Sequence, residues 1–204
     1  MTRSATQTAI AACLLSALWV VSSSGAEVHA GFLEKGASEW GLTSDLGMAH
    51  GIWGGVTDRQ FISVGVRFGH VMSGPRGPGG LRGRLALNVE ASPLFVMFQE
   101  PTTFGFSSVV QGRHYLDVAT KLVPFISAGA GLLLTDKKTP PGARLNFTPQ
   151  IGAGVAMEDR GGRVFTIEYR LHHISNASRA DENPGINSSV FQFGISFPIG
   201  NKGP

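Results

Sequence analysis

The feature that most restricts this chain is a two-residue rhythm that recurs from residue 38 to residue 197, with no apolar run long enough to make a membrane helix after the first 30 residues. In residues 125 to 134, Ile126, Ala128, Ala130, Leu132 and Leu134 fall on one side of an extended chain, and Ser127, Gly129 and Gly131 on the other. Residues 61 to 70 set Ile62, Val64, Val66 and Phe68 against Ser63, Gly65, Arg67 and Gly69, and residues 85 to 91 set Leu85, Leu87 and Val89 against Ala86, Asn88 and Glu90. Residues 150 to 157, 163 to 175 and 191 to 197 keep the same two-faced pattern. Weaker segments at 38 to 48 and 106 to 119 bring the expected number of strands to eight.

One face of every segment is apolar, while the other is small, glycine-rich and sparsely charged. A soluble sandwich also alternates, but its second face meets water and has no reason to be so small in each strand. A narrow closed barrel does: its lumen holds small side chains and its outside meets lipid. The expected fold is therefore all-β, an eight-stranded antiparallel transmembrane β-barrel. Ile126, Ala130, Leu132, Ile167, Phe193 and Ile195 are expected on the outer wall, and Arg67, Glu90, Glu168 and Arg170 inside, neutralising one another. Composition agrees, since 28 glycines in 204 residues argue against a helical bundle and the 42% apolar content argues against disorder. The net charge of +3, part of it in the first residues, together with the lack of an aromatic and basic stripe, points away from nucleic acid as a partner.

The N-terminus reads as an address. Arg3, an apolar stretch from Ala9 to Val21 and small residues after it make residues 1–26 a signal peptide, with cleavage after Ala26 or, less well matched, Ala30. Residues 27–204 then form the barrel domain, exported to the cell outer membrane, and the only cysteine, Cys13, leaves with the leader. With both termini periplasmic, residues 49–58, 93–105, 135–143 and 176–188 face outward, and the joins near 72–80, 120–123 and 158–162 face the periplasm.

The chemistry-bearing stretch is His172-His173-Ile174-Ser175-Asn176-Ala177, followed by Asn183-Pro184-Gly185-Ile186-Asn187. His173 and Ser175 lie two apart in a strand, so their side chains leave one face with Cα atoms roughly 6.5 to 7 Å apart. Their parity places them on the lipid side, where two polar groups are costly unless they work or mark the membrane boundary. A His-x-Ser pair alone fits either reading. His172 points into the lumen and is left out of the site. The histidines lack metal-ligand spacing, so no metal and no cofactor is expected. Lys137, Lys138, Arg144 and Arg179 are basic residues of outward loops, for which solvation is explanation enough.

The same residues resemble the PagL-type lipid A 3-O-deacylases, also described as acyloxyacyl hydrolase-like outer-membrane proteins. The resemblance rests on His-x-Ser-Asn-Ala, the short loop with Asn-Pro-Gly and the final amphipathic strand, over about residues 165 to 198. It implies a serine esterase acting on lipid A of lipopolysaccharide, with Ser175 as nucleophile, His173 as base and Asn176 as the oxyanion-stabilising residue. The family's third member is a glutamate, and the position that matches it here is Asn187. An amide oxygen can fix the histidine tautomer but does not offset an imidazolium charge. Asn187→Glu, which supplies the family's charge, is therefore expected to leave activity unchanged or raise it, and Asp181 or Glu182 of the same loop are the alternative acids. The competing expectation is a non-catalytic small barrel with a structural, adhesive or small-molecule passage role.

Overall fold

A computed structural model describes residues 31–139 and 142–200. The signal-peptide expectation, with its cleavage site, falls outside the described residues. Nine strand segments follow in chain order: β1 (Ser38–Ala49), β2 (Gln60–Val71), β3 (Gly83–Phe98), β4 (Thr103–Leu116), β5 (Leu122–Thr139), β6 (Ala143–Phe147), β7 (Gln150–Glu158), β8 (Val164–Ile174) and β9 (Ile186–Ile199). All pairings are antiparallel between neighbours, and β1 pairs with β9. β6 and β7 occupy one place in the wall, both against β5, so the closed barrel has eight strands. No helix among the described residues is long and apolar enough to cross a membrane; this chain crosses with strands.

Side chains sort by parity as a closed lipid-facing wall requires. Ile126, Leu132, Ile167 and Phe193 are exposed, as is Ala130, and Ile195 is half-buried on the same outer face. Trp40 and Phe197 stack on that face across the β1–β9 seam, with ring centroids 5.0 Å apart. The expected lumenal charges are inside: Arg67, Glu90, Glu168 and Arg170 are all buried. Arg170 forks onto Glu90 through two 3.0 Å bonds and reaches Glu168 at 3.0 Å, while Arg113, not anticipated, meets Glu168 at 2.6 Å. Gln111 and Gln192 bond into the same network, which closes the middle of the lumen. Such a group is tolerated in a low-dielectric interior because each charge faces an opposite one and further hydrogen bonds.

Apolar layers flank this polar belt. At the end near the chain termini, Phe32 and Leu33 of a short 3-10 turn (Gly31–Leu33) plug the lumen against Tyr115, Phe125, Val123 and Val164. At the other end Phe61, Phe95, Met97, Leu133, Ile174 and Ile186 form the second layer. The turn after β7 is tight: Asp159 accepts from the backbone N–H groups of Gly161 and Arg163, and with the Arg163 guanidinium these hold its carboxyl below the usual range.

Strand limits differ from the alternation in two places. β3 continues to Phe98, well past the expected end at 91, because a bulge between Ser92 and Phe95 shifts the register and exchanges faces. Glu90 and Ser92 point inward before it, Phe95 and Met97 after it, and Leu94 is exposed. Pro93, which donates no backbone hydrogen bond, sits at the irregularity. β5 reaches Thr139 rather than 134, so the residues expected as the third outward loop are largely strand.

Candidate active site on the outer wall

The wall changes partner at Thr148-Pro149, between β6 and β7. Proline has no N–H for the ladder, but its carbonyl still accepts, and the His173 N–H donates to Pro149 O at 3.0 Å. One step on, Ser175 and Phe147 exchange both backbone bonds at 3.1 and 2.7 Å. β8 is therefore held extended through Ser175, with Ile174 fully buried between two outward residues. His173 and Ser175 both leave the outer face at the end of the barrel remote from the termini.

Across the next ladder His173 stands opposite Asn187 of β9. Their side chains share a 2.6 Å hydrogen bond between Nδ1 and the Asn187 Oδ1, and the Asn187 Nδ2 donates to Gly54 O at 2.7 Å. The imidazole lies against bare backbone at Gly185: a β-carbon there would come 2.8 Å from His173 Cε1, and Gly185 has φ 69°, a conformation that favours glycine. Among the described residues no hydrogen bond joins the His173 ring to the Ser175 hydroxyl.

Asn176 does something other than face the wall. It is buried, its Nδ2 donates to Glu182 O at 2.8 Å, its Oδ1 accepts from Arg179 N–H at 3.2 Å, and its own N–H donates to Asn183 Oδ1 at 3.2 Å. Ala177 and Ser178 follow with φ of 53° and 59°, ending the strand at once. Asn176 thus ties down the loop that leads back to Asn187. Asp181 and Glu182 are exposed, and Glu182 contributes its backbone carbonyl to Asn176. Deeper on the same wall, Tyr169 and Ser189 satisfy each other at 2.8 Å.

A cleft of about 460 Å³ opens beside His173 and Asn187, lined among others by Trp53, Pro149, Ile151, Leu171 and Pro184. Sequence reasoning did not find the β1–β2 loop's part in this site. The signals were the Gly54-Gly55 pair, both at positive φ, and the exposed Trp53 before them.

The family model described as "Lipid A 3-O-deacylase (PagL)" matches residues 36–196. Among solved structures, the outer membrane enzyme PagL is similar at 20% identity and a TM-score of 0.54, over 76% of this chain and 97% of that one. Neisserial surface protein A has 12% identity and a TM-score of 0.48, over 81% and 99%. The outer membrane protein OprG from Pseudomonas aeruginosa has 7% identity and a TM-score of 0.47, over 82% and 98%. Among curated protein sequences none matches this chain. With a family match that spans most of its length and an apolar-walled eight-stranded barrel, the chain belongs to the PagL lipid A 3-O-deacylase family of outer-membrane proteins.

Proposed function

We propose that this barrel is an outer-membrane esterase that removes the acyl chain ester-linked to the 3 position of lipid A. The observation that carries the reading is the 2.6 Å His173–Asn187 hydrogen bond on the lipid-facing wall, two residues from Ser175. An oriented histidine beside a hydroxyl is what nucleophilic acyl transfer needs. On the outer wall it meets a lipid substrate without extracting it from the membrane. The cleft beside it, with Ile151, Leu171 and Trp53 in its lining, suits an acyl chain.

In this mechanism the Ser175 hydroxyl attacks the ester carbonyl while His173 Nε2 takes its proton. The tetrahedral intermediate collapses as the imidazolium returns that proton to the leaving sugar hydroxyl, and water then releases the acyl group from Ser175 by the same route in reverse. Asn187 holds the imidazole throughout. Asn176, whose buried amide donates to the Glu182 carbonyl in the resting protein, is the residue that the family resemblance assigns to the developing oxyanion. The resting His173 and Ser175 side chains close on each other in the substrate complex, as catalytic hydrogen bonds commonly tighten on binding. The site faces outward, with both termini in the periplasm.

A passage role fits the lumen poorly. The cavity among Asp45, Glu90, Arg170 and His172 has a volume of about 30 Å³, room for one or two waters. The deciding measurement is mass spectrometry of lipopolysaccharide incubated with the barrel refolded in detergent. Loss of one ester-linked acyl chain and release of its fatty acid are expected, and Ser175→Ala and His173→Ala should each abolish both while the barrel stays folded. If wild-type protein releases no fatty acid from any lipid A, the non-catalytic reading replaces this one.

A further inference from the structure

The loop between β1 and β2 is bonded to the start of β9 in three places. His50 N–H donates to Asn187 O at 2.8 Å, Val56 N–H to Gly185 O at 3.0 Å, and the Asn187 Nδ2 to Gly54 O at 2.7 Å. Between these bonds the backbone runs through three left-handed residues, Trp53, Gly54 and Gly55, at φ 62°, 82° and 95°. Tryptophan in that conformation is costly, and a β-carbon on Gly55 would lie only 2.8 Å from Gly185 O. The loop is thus held in a strained shape, close against the residues that carry the site.

A backbone carbonyl only accepts hydrogen bonds, so of the two ends of the Asn187 amide the NH2 must face Gly54. The amide oxygen is then turned to His173, and because that oxygen also only accepts, the proton on the neutral imidazole must sit on Nδ1. Nε2 is left without one, in the form that can receive a proton from a serine. We infer that the β1–β2 loop is a positioning element of the site: through the Gly54 carbonyl it fixes the Asn187 amide and thereby the tautomer of His173. This rests on the deacylase reading for its catalytic consequence but not for the tautomer itself.

The clamp makes the effect of a carboxylate at 187 depend on the loop. Asn187→Asp keeps the shape but turns the donor facing Gly54 O into an acceptor, so two oxygens oppose each other where a 2.7 Å hydrogen bond was. With the loop in place this displaces the side chain that orients His173. With the loop lifted, as Gly55→Ala lifts it by crowding Gly185 O, an aspartate accepts from Nδ1 with either oxygen and needs no clamp.

The test uses the full barrel in detergent micelles, with 15N-labelled histidine. Wild type should show His173 as a single Nδ1-protonated tautomer, and Gly55→Ala a mixture of both. With lipopolysaccharide as substrate, Asn187→Asp should lower kcat roughly ten-fold or more with little change in KM, the loss expected for a buried acceptor left unpaired. In the Gly55→Ala background the same aspartate should raise kcat above that of Gly55→Ala alone. A purely structural loop would give losses that add, with no reversal of sign. An Nε2-protonated His173 in the wild type overturns the inference, as does an Asn187→Asp barrel with wild-type kcat or better. If no variant hydrolyses lipid A, the deacylase reading fails, while the tautomers of wild type and Gly55→Ala still decide the clamp.

Discussion

Gly185→Ala is the most informative single change outside the reacting groups. A methyl group at this position would lie 2.8 Å from His173 Cε1, whereas ordinary contact begins near 3.4 Å, so the ring must retreat by roughly 0.6 Å or the backbone must give way. Alanine at φ 69° adds about 1 kcal/mol of conformational cost. Both effects bear on the Nδ1–Asn187 bond, because Gly185 precedes Asn187 by two residues and its carbonyl also anchors Val56. A misplacement of about 1 Å at a catalytic group costs on the order of a hundred-fold in rate, so a loss of ten- to a hundred-fold in kcat is expected here. The assay is fatty acid release from lipopolysaccharide, with the heat-modifiable gel shift of the barrel as the measure of folding. Gly36→Ala is the control: Gly36 has φ 89° but nothing within 4 Å of an added β-carbon, so it pays the backbone cost without touching the site. Gly36→Ala should keep full activity. A Gly185→Ala barrel within two-fold of wild type would show that the His173 ring position does not matter to catalysis.

Two further predictions concern the frame. Arg170→Met takes the forked partner from Glu90, which keeps only Arg113 at 3.8 Å as an ion pair among the described residues, and one of two arginines from Glu168, so urea unfolding in lipid vesicles should show a loss of about 3–5 kcal/mol. At the terminal end Asp117 is partly buried, which raises its pKa, but hydrogen bonds from Arg82 and Arg84 outweigh this and hold the carboxyl below its ordinary 3.8. Its folded pKa is depressed, so the stability it contributes is present above that ordinary value and fades as pH falls through the folded one. The difference in unfolding midpoint between wild type and Asp117→Asn should accordingly shrink toward zero in strong acid; a difference independent of pH refutes the assignment.

The wall was legible in the sequence because parity is a property of side chains. Ile126 and Arg67 announce their faces wherever the strand stays regular, and the four charges that the alternation placed in the lumen are all buried. The reading failed where the backbone departs from period two. At Pro93 the bulge exchanges the faces, so Phe95 and Met97 fall out of phase with Glu90 and the strand looks finished when it continues to Phe98. Arg113 was missed for a related reason: β4 alternates weakly, with Ser107, Ser108 and Gly112 diluting the contrast that would have marked its inner face. His173 and Ser175 stood out because polar groups on an apolar face are anomalous, and the two of them share that face with Tyr169, whose hydroxyl is satisfied by Ser189.

What the sequence hides at the site is carried by main-chain atoms. Read as residues, Asn187 is a defect, an amide where the resembled family has a carboxylate, and the natural repair is to restore the charge. The clamp inferred above argues the other way. A carboxylate beside Gly54 O would set an anion against a carbonyl at the edge of a lipid-facing wall, where little water is present to screen it. The amide donates to that carbonyl and accepts from His173, so both of its ends are satisfied without any net charge. What it gives up is the Coulombic stabilisation of the imidazolium during reaction; what it gains is a resting site with one tautomer and no buried anion. The choice between amide and acid at 187 therefore belongs to the loop as much as to the residue, and Gly54 takes part only through its backbone carbonyl, which no side-chain pattern records.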